Sequence, residues 1–428
     1  MKPFPGQIRT RVWSSLLVLI LTAFSCCAQS IAPVIEVPNP PNAEAQLSKP
    51  YVVLVSLDGF RYDYAQRYGA KHLLALAARG ASAPNGMLPV FPSLTFPNHY
   101  TIVTGLYPDH HGIVANSFYD PARKEKYSYT DPNTNSDGGW YGGTPLWVLA
   151  ENQGMRSASF FWPGSEAEIH GKRPSYYMRY DDKFPDEKRV EQVLAWLRLP
   201  PNQRPHFITL YYSNVDHAGH AFGPDAPETA DAVRHVDDMI GKLTDGIATL
   251  GLAVDLIVIS DHGMETSQGG WIALDKWADL AQFETSGSLL YAKSDSDAEK
   301  AYNSLTGVSD KFKVYRRANV PKNLHFDSNP REGDPVVVPT GPFAIVAHAP
   351  ANSAAPVRGV HGYDPGTVPS MKAIFYAAGP DIRAGVEVQP FEDIHLYPLI
   401  AQILGLRIGP VDGELHVLQV VLKKSNPH

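Results

Sequence analysis

Four short segments carry side chains able to hold a divalent cation. Asp58 ends "YVVLVSLDG", Asp216 ends "HFITLYYSNVD" with His220 four residues on, Asp261 and His262 end "VDLIVISDHG", and His361 lies in the glycine-rich "RGVHGYDPG". Singly, each has an ordinary reading: a strand-end aspartate caps a helix or forms a turn, and a loop histidine is structural. Together they place acids and imidazoles at three apolar strand ends and one loop, and independent explanations for all of them become strained. Aspartate and histidine with no cysteine suit zinc, or a harder ion such as manganese. Three carboxylates and three imidazoles exceed the needs of one tetrahedral ion and suit two. Two such ions about 4 Å apart clamp a phosphoryl centre, one at the attacking and one at the leaving oxygen.

A nucleophile is available in "LPVFPSLTFPNHY", Leu88 to Tyr100. Its three prolines make a poor helix and a poor strand, so the expectation is a stiff loop presenting the Thr95 hydroxyl. A hydroxyl is a weak nucleophile at neutral pH. A metal bound to its oxygen lowers the hydroxyl pKa, as it does for bound water.

The elements that position these groups are legible as apolar runs. "YVVLVSLDG", "HFITLYYSNVD", "VDLIVISDHG" and "MKAIFYAAGP" read as strands buried on both faces. Between them lie helical patterns: "YAQRYGAKHLLALAARG", ending at Gly80, a stripe of Val233, Val236, Met239, Ile240, Leu243, Ile247 and Leu250, and a terminal helix in "EDIHLYPLIAQILGL" despite Pro398. The pattern predicts an α/β fold, a mainly parallel central sheet with helices on both faces. In such sheets ligands bind outside the carboxyl ends of the strands, where the acids and histidines are. Short strand-like runs over about 286–338 suggest a small inserted or capping lobe.

The chain has 428 residues, 44% hydrophobic and 19% charged, with a net charge of -7 and no basic block, which argues against duplex nucleic acid as a partner. Lys2, Arg9 and Arg11 precede the apolar run Val12 to Phe24 and then "SCCAQS", the order of an export signal. That run is shorter than the roughly 20 residues a membrane-spanning helix needs. Cleavage after Ala28 would remove Cys26 and Cys27, leaving a mature chain with no disulfide; a lipid on one of these cysteines is the alternative. The expected organisation is a signal peptide at 1–28, a Pro-rich tether at 29–50, a catalytic domain at 51–420 and a tail at 421–428. Location is then periplasmic or secreted, with no transmembrane span in the mature chain.

"FPSLTFPNHYTIVTGLYPDHHGIVANSFYDP", "FFWPGSEAEIHGKRPSYYMRYD", "YYSNVDHAGHAFGP", "VISDHGM" and "GVHGYD" resemble the nucleotide pyrophosphatase/phosphodiesterases of the alkaline phosphatase superfamily, in the family's order from about Tyr51 to Leu406. The resemblance implies an alkaline-phosphatase-like fold and two zinc ions, one held by Asp216, His220 and His361, the other by Asp58, Asp261, His262 and the nucleophile Thr95. It further implies that Asn116 donates its amide to a phosphate oxygen, that Phe96 and Tyr180 sandwich a nucleotide base, and that Tyr211 lies beside the phosphate. The implied reaction is a double displacement through a nucleotidyl-threonine, with a small-molecule nucleotide as substrate. Lysophospholipid or choline-type diesters, and phosphonates or phosphate monoesters, are the alternatives on the same site. A monoesterase needs added positive charge, and no lysine or arginine lies between Val90 and Thr101. A sulfatase needs cysteine or serine where Thr95 stands.

Overall fold

The structure is a computed structural model that describes residues 1–2, 33–351 and 357–423. Apart from Met1 and Lys2, the expected export signal lies outside these residues. By internal contacts the chain divides after Ile31, and the second unit, from Ala32 onward, holds the fold.

Tyr51–Leu57 is buried along its whole length and lies mid-sheet. Its β-branched and apolar residues alternate between two cores. Val52 and Leu54 join one hydrophobic cluster, Val53, Val55 and Leu57 the other. Each such side chain contributes on the order of 1.5–3 kcal/mol by burial. The first cluster is covered by helices Thr95–Thr104, Leu146–Asn152 and Leu396–Leu404. The second is covered by Lys71–Arg79, Asp186–Leu197 and Pro227–Ala248. Pro398 is tolerated because it falls in the first turn of its helix, where an N–H has no intrahelical partner.

The sheet has nine strands in the order Ile35–Glu36, Tyr176–Met178, Ser157–Phe160, Phe207–Tyr212, Tyr51–Leu57, Val254–Ile259, Phe375–Ala378, Ala81–Ser82 and Val386–Glu387. The five strands from Tyr176–Met178 to Val254–Ile259 are mutually parallel. Phe375–Ala378 departs from the parallel expectation, running antiparallel to Val254–Ile259. That reversal matters for the site. His361 precedes this strand, and only an antiparallel strand begins at the rim where its parallel neighbours end.

The stretch read as a tether is laid on the fold from Pro33 onward. Ile35–Glu36 pairs with Tyr176–Met178, and the buried Asn42 side chain donates to the carbonyls of Pro201 and Arg204. Residues between Ile272 and Ala347 gather their own apolar cluster around Leu274, Leu290, Leu305 and Phe312. Among the described residues, no helix is long and apolar enough to cross a membrane.

Candidate active site

Register brings the donors to one level. Leu57 pairs with Tyr212 on one side of the central strand and Ser56 with Ile259 on the other, so all three chains leave the sheet together. Asp58 follows directly, and Asp261 and His262 sit in the turn after Ile259. The second chain turns into helix Asn214–Phe222, whose spacing puts Asp216 and His220 on one face. Two glycines permit the close approach. A Cβ on Gly59, whose φ is +69°, would lie 2.8 Å from the Asp216 backbone, and one on Gly359 would meet the Gly219 carbonyl at 2.2 Å.

In the outer group, His220 Nε2 lies 3.3 Å from Asp216 Oδ1, and His361 Nε2 lies 3.7 Å from the same oxygen and 3.2 Å from His220 Nε2. In the inner group, His262 Nε2 is 3.1 Å from Asp261 Oδ2, 3.5 Å from Asp58 Oδ1 and 3.4 Å from Thr95 Oγ1. The groups touch where the His262 and His361 rings stack, 3.7 Å between centroids.

The outward nitrogen of each histidine is set from behind. Nδ1–H of His220 donates to the Gly359 carbonyl, that of His262 to Gly263 and that of His361 to Ser93, at 2.9, 2.9 and 3.0 Å. Each Nε2 therefore faces the carboxylates, and it is the nitrogen a metal would take. Asp58 Oδ1 and Asp261 Oδ2 are buried and have no hydrogen-bond partner among the described residues, and Asp216 Oδ1 faces only the nitrogens of His220 and His361. Imidazole nitrogens and carboxyl oxygens turned on one another at 3.1–3.7 Å, each able to give up a proton, fit cations between them.

The titration behaviour of the bare site reflects the same crowding. Burial, then the charges of Asp261 and Asp216, raise the Asp58 carboxyl well above its usual range. Burial and Asp216 do the same to Asp261. Asp216 moves the other way: burial opposes ionisation, but the hydrogen bond and charge of His220 outweigh it. His220 is correspondingly held up at about 9, against burial, by Asp216. Burial pushes His262 well down and His361 to about 4.

Thr95 is placed differently from the expected loop. It is the first residue of helix Thr95–Thr104, because Pro97 falls within the first turn, where proline is harmless. The helix also brings in His99, four residues on and fully buried, which the sequence reading missed. Its Nδ1 lies 2.8 Å from the Thr95 carbonyl and 3.3 Å from Asp261 Oδ2, and its Nε2 pairs with Ser56 Oγ at 2.8 Å. The signal was the four-residue spacing, invisible once the segment was read as a loop. Asn116 Oδ1 accepts from the Phe96 N–H at 2.9 Å, capping the same helix and leaving its amide N–H₂ free of that bond. Among the described residues, none of the hydrogen bonds or ion pairs of Thr95, Asn116 or the six acids and histidines involves a lysine or arginine.

The sequence profile of the type I phosphodiesterase / nucleotide pyrophosphatase family matches residues 52–364. The chain belongs to that family. It is 36% identical over 418 residues to an uncharacterized pyrophosphatase/phosphodiesterase of Schizosaccharomyces pombe, covering 93% of this chain and 85% of that protein. It is 37% identical to the human ectonucleotide pyrophosphatase/phosphodiesterase family member 1 over 90% of this chain, and 36% identical to a venom phosphodiesterase of Macrovipera lebetinus over 87%. It spans only 43% and 45% of those two longer proteins. Among solved structures, murine ectonucleotide pyrophosphatase/phosphodiesterase 5, an inactive threonine-to-alanine variant in complex with AMP, superposes with a TM-score of 0.81 at 30% identity. That match covers 88% of this chain and all of the other. The alkaline-phosphatase-like α/β fold follows from the same likeness.

In this phosphodiesterase-family chain the three expected aromatic residues fall on two sides of the site. Phe96 packs against Tyr127 and Tyr129. Tyr180, 44% exposed, packs against Phe161 and Tyr211. Phe96 and Tyr180 thus belong to separate aromatic groups. Tyr211 is buried, and its hydroxyl donates to Asp58 Oδ2 at 2.6 Å. It therefore orients an acid of the inner group.

Proposed function

We propose that the chain is an exported two-zinc phosphodiesterase/nucleotide pyrophosphatase that hydrolyses nucleotide diester and anhydride bonds through a covalent threonine intermediate. The observation that supports it best is Thr95 Oγ1 beside His262 Nε2 and the unpartnered oxygens of Asp58 and Asp261. Asp216, His220 and His361 would hold one zinc, and Asp58, Asp261, His262 and Thr95 the other. Bound there, the ions would acidify the Thr95 hydroxyl and neutralise charge on the phosphoryl oxygens.

The chain's residues supply position and polarity. Thr95 Oγ1 forms a bond to phosphorus as the bond to the leaving oxygen breaks, the electron pair departing with that oxygen. Asn116, its Oδ1 already engaged by Phe96, turns its amide N–H₂ toward a non-bridging oxygen. Water then displaces Thr95, releasing a nucleoside monophosphate. Two inversions give net retention. The absence of lysine and arginine among the site's bonded partners favours a singly charged diester over a dianionic monoester. Export is supported by the ecto- and venom proteins among the relatives.

The test is hydrolysis of a thymidine 5′-monophosphate nitrophenyl ester against nitrophenyl phosphate by the zinc-loaded protein. The diester is expected to be cleaved much faster; a monoester preference would overturn the proposal. For the base slot, Tyr180→Ala is expected to weaken binding of a nucleotide by about 1–3 kcal/mol, the worth of one stacking face, while a small methyl diester is cleaved as before. Equal losses on both substrates would count against stacking.

A further inference from the structure

A cavity of about 380 Å³ adjoins the outer group and plays no part in the chemistry described so far. His220, His361 and Asn116 line it together with Trp271, Phe343 and the hairpin tip at Ser288. We infer that this cavity receives the leaving group and selects an uncharged, apolar or aromatic alcohol over a polyphosphate. The inference rests on the proposed diesterase reading: Thr95 attacks from the inner group, so in-line displacement sends the leaving oxygen out on the side of His220 and His361.

Its location separates it from the base slot. Thr95, Phe96, Tyr180 and Tyr211 do not line it, whereas both outer-group histidines do. A diester held at phosphorus between the two groups has two substituents. One runs toward Phe96 and Tyr180, leaving the other to run toward Trp271.

Its chemistry sets the class of that second substituent. Among the described residues, no lysine, arginine, aspartate or glutamate lines the cavity. A departing pyrophosphate carries several charges and, past the outer group itself, would find no lysine or arginine in these walls, a costly loss of solvation. An aromatic or aliphatic alcohol would instead exchange water for apolar wall, with serine hydroxyls for its few polar atoms. A volume of this size holds one ring system.

The walls are formed in advance. Ser286 Oγ donates to the Ser117 carbonyl at 2.8 Å, tying the hairpin to the segment that carries Asn116. The Tyr363 hydroxyl donates to the Phe343 carbonyl at 3.1 Å, tying the His361 loop to the opposite wall. The Gly287 carbonyl accepts from the Ala347 N–H at 2.7 Å, which fixes the hairpin tip.

The experiment uses zinc-loaded Thr95→Ala protein, which binds without turnover, and calorimetric titration with the nitrophenyl and methyl esters of thymidine 5′-monophosphate. The nitrophenyl ester is expected to bind about tenfold tighter, the gain from burying one ring. In a Trp271→Ala, Phe343→Ala background the two esters should bind within about twofold of each other, with the methyl ester unaffected. A tenfold difference that survives in that background overturns the inference, as does its absence in the parent. Ser288→Arg guards against misfolding of the double variant. It should raise kcat/KM for ATP relative to the nitrophenyl ester in otherwise active protein, and an unchanged ratio also overturns the inference. An active-site failure reads differently: protein with Thr95 intact would then cleave no diester at all, while the binding ratios still decide the cavity's role.

Discussion

Asp216 and His220 pair without an ion, whereas Asp58 and Asp261, on the two neighbouring strand ends, are fully buried and held protonated by burial and by surrounding carboxylate charge. The outer group opens to solvent: the His220 side chain is 44% exposed. The inner group has no such relief; Asp58, Asp261 and His262 are buried and rest on strand ends. Linkage makes both halves lose stability as pH rises in the bare protein, one by losing an attraction and the other by gaining buried charge. His220 is raised, so its pairing stabilises the fold fully below its ordinary value and loses that contribution as pH rises through about 9. Asp58 and Asp261 are also raised, but as acids: their favourable, protonated state is lost as pH rises from the ordinary carboxylate range through their elevated values. At neutral pH the outer half supports the bare fold, and the inner half opposes it. The inner half is thus where bound cations should change stability most.

The largest expected effect breaks chemistry from binding within the inner half. Thr95→Ala should lower hydrolysis of a nucleotide diester by roughly a thousandfold or more, as removal of a nucleophile does, while mass spectrometry still finds two metal ions. Loss of an ion along with activity would make Thr95 a structural ligand rather than a nucleophile. Next comes Asp261→Asn. It should empty the inner half while the outer half keeps its ion, and the metal-free variant should melt above metal-free wild type at pH 8. Wild type should gain about 4 kcal/mol from zinc at a thousandfold excess over Kd; calorimetric scans of the variant should show a smaller gain. A metal-free variant less stable than wild type would mean that the inner repulsion is relieved some other way.

This difference between the halves also marks how much was legible in the sequence. The strands announced themselves as unbroken β-branched runs, since burial on both faces leaves no polar alternation to blur them. The acids and histidines that follow those runs were readable for the same reason. Strand direction was not: nothing local in "MKAIFYAAGP" distinguishes an antiparallel from a parallel neighbour, although the antiparallel strand starts at the rim where His361 lies. Nor was the helix at Thr95 legible, because three prolines outweigh helical propensity until the position of Pro97 within the first turn is known. His99 and the Tyr211 bond to Asp58 were hidden with it, since partners from distant strands cannot be read from spacing.

Tyr211→Phe sharpens the comparison by removing only the hydroxyl behind Asp58. Loss of an outer-shell partner of this kind typically weakens metal binding by about 10–100-fold. The weakening should fall on one of the two sites in a competitive chelator titration. Equal weakening of both sites would show that the halves are coupled through the stacked His262 and His361 rings rather than independent.

The smallest effect expected is a proton. In the bare protein His220 is held up at about 9 and carries a proton at pH 7, on the nitrogen that faces Asp216. A cation entering the outer half must displace it, so binding there at pH 7 should release close to one proton from His220. Affinity should climb about tenfold per pH unit until roughly pH 9 and then level. The inner half must also shed protons, from Asp58 and Asp261, so wild-type titrations would mix the two. The Asp261→Asn protein isolates the outer half. Calorimetric titration of that variant with zinc in two buffers of different ionisation enthalpy reads the proton directly. A release near zero at pH 7 would mean that His220 is already neutral, and that Asp216 is paired by something other than the imidazolium.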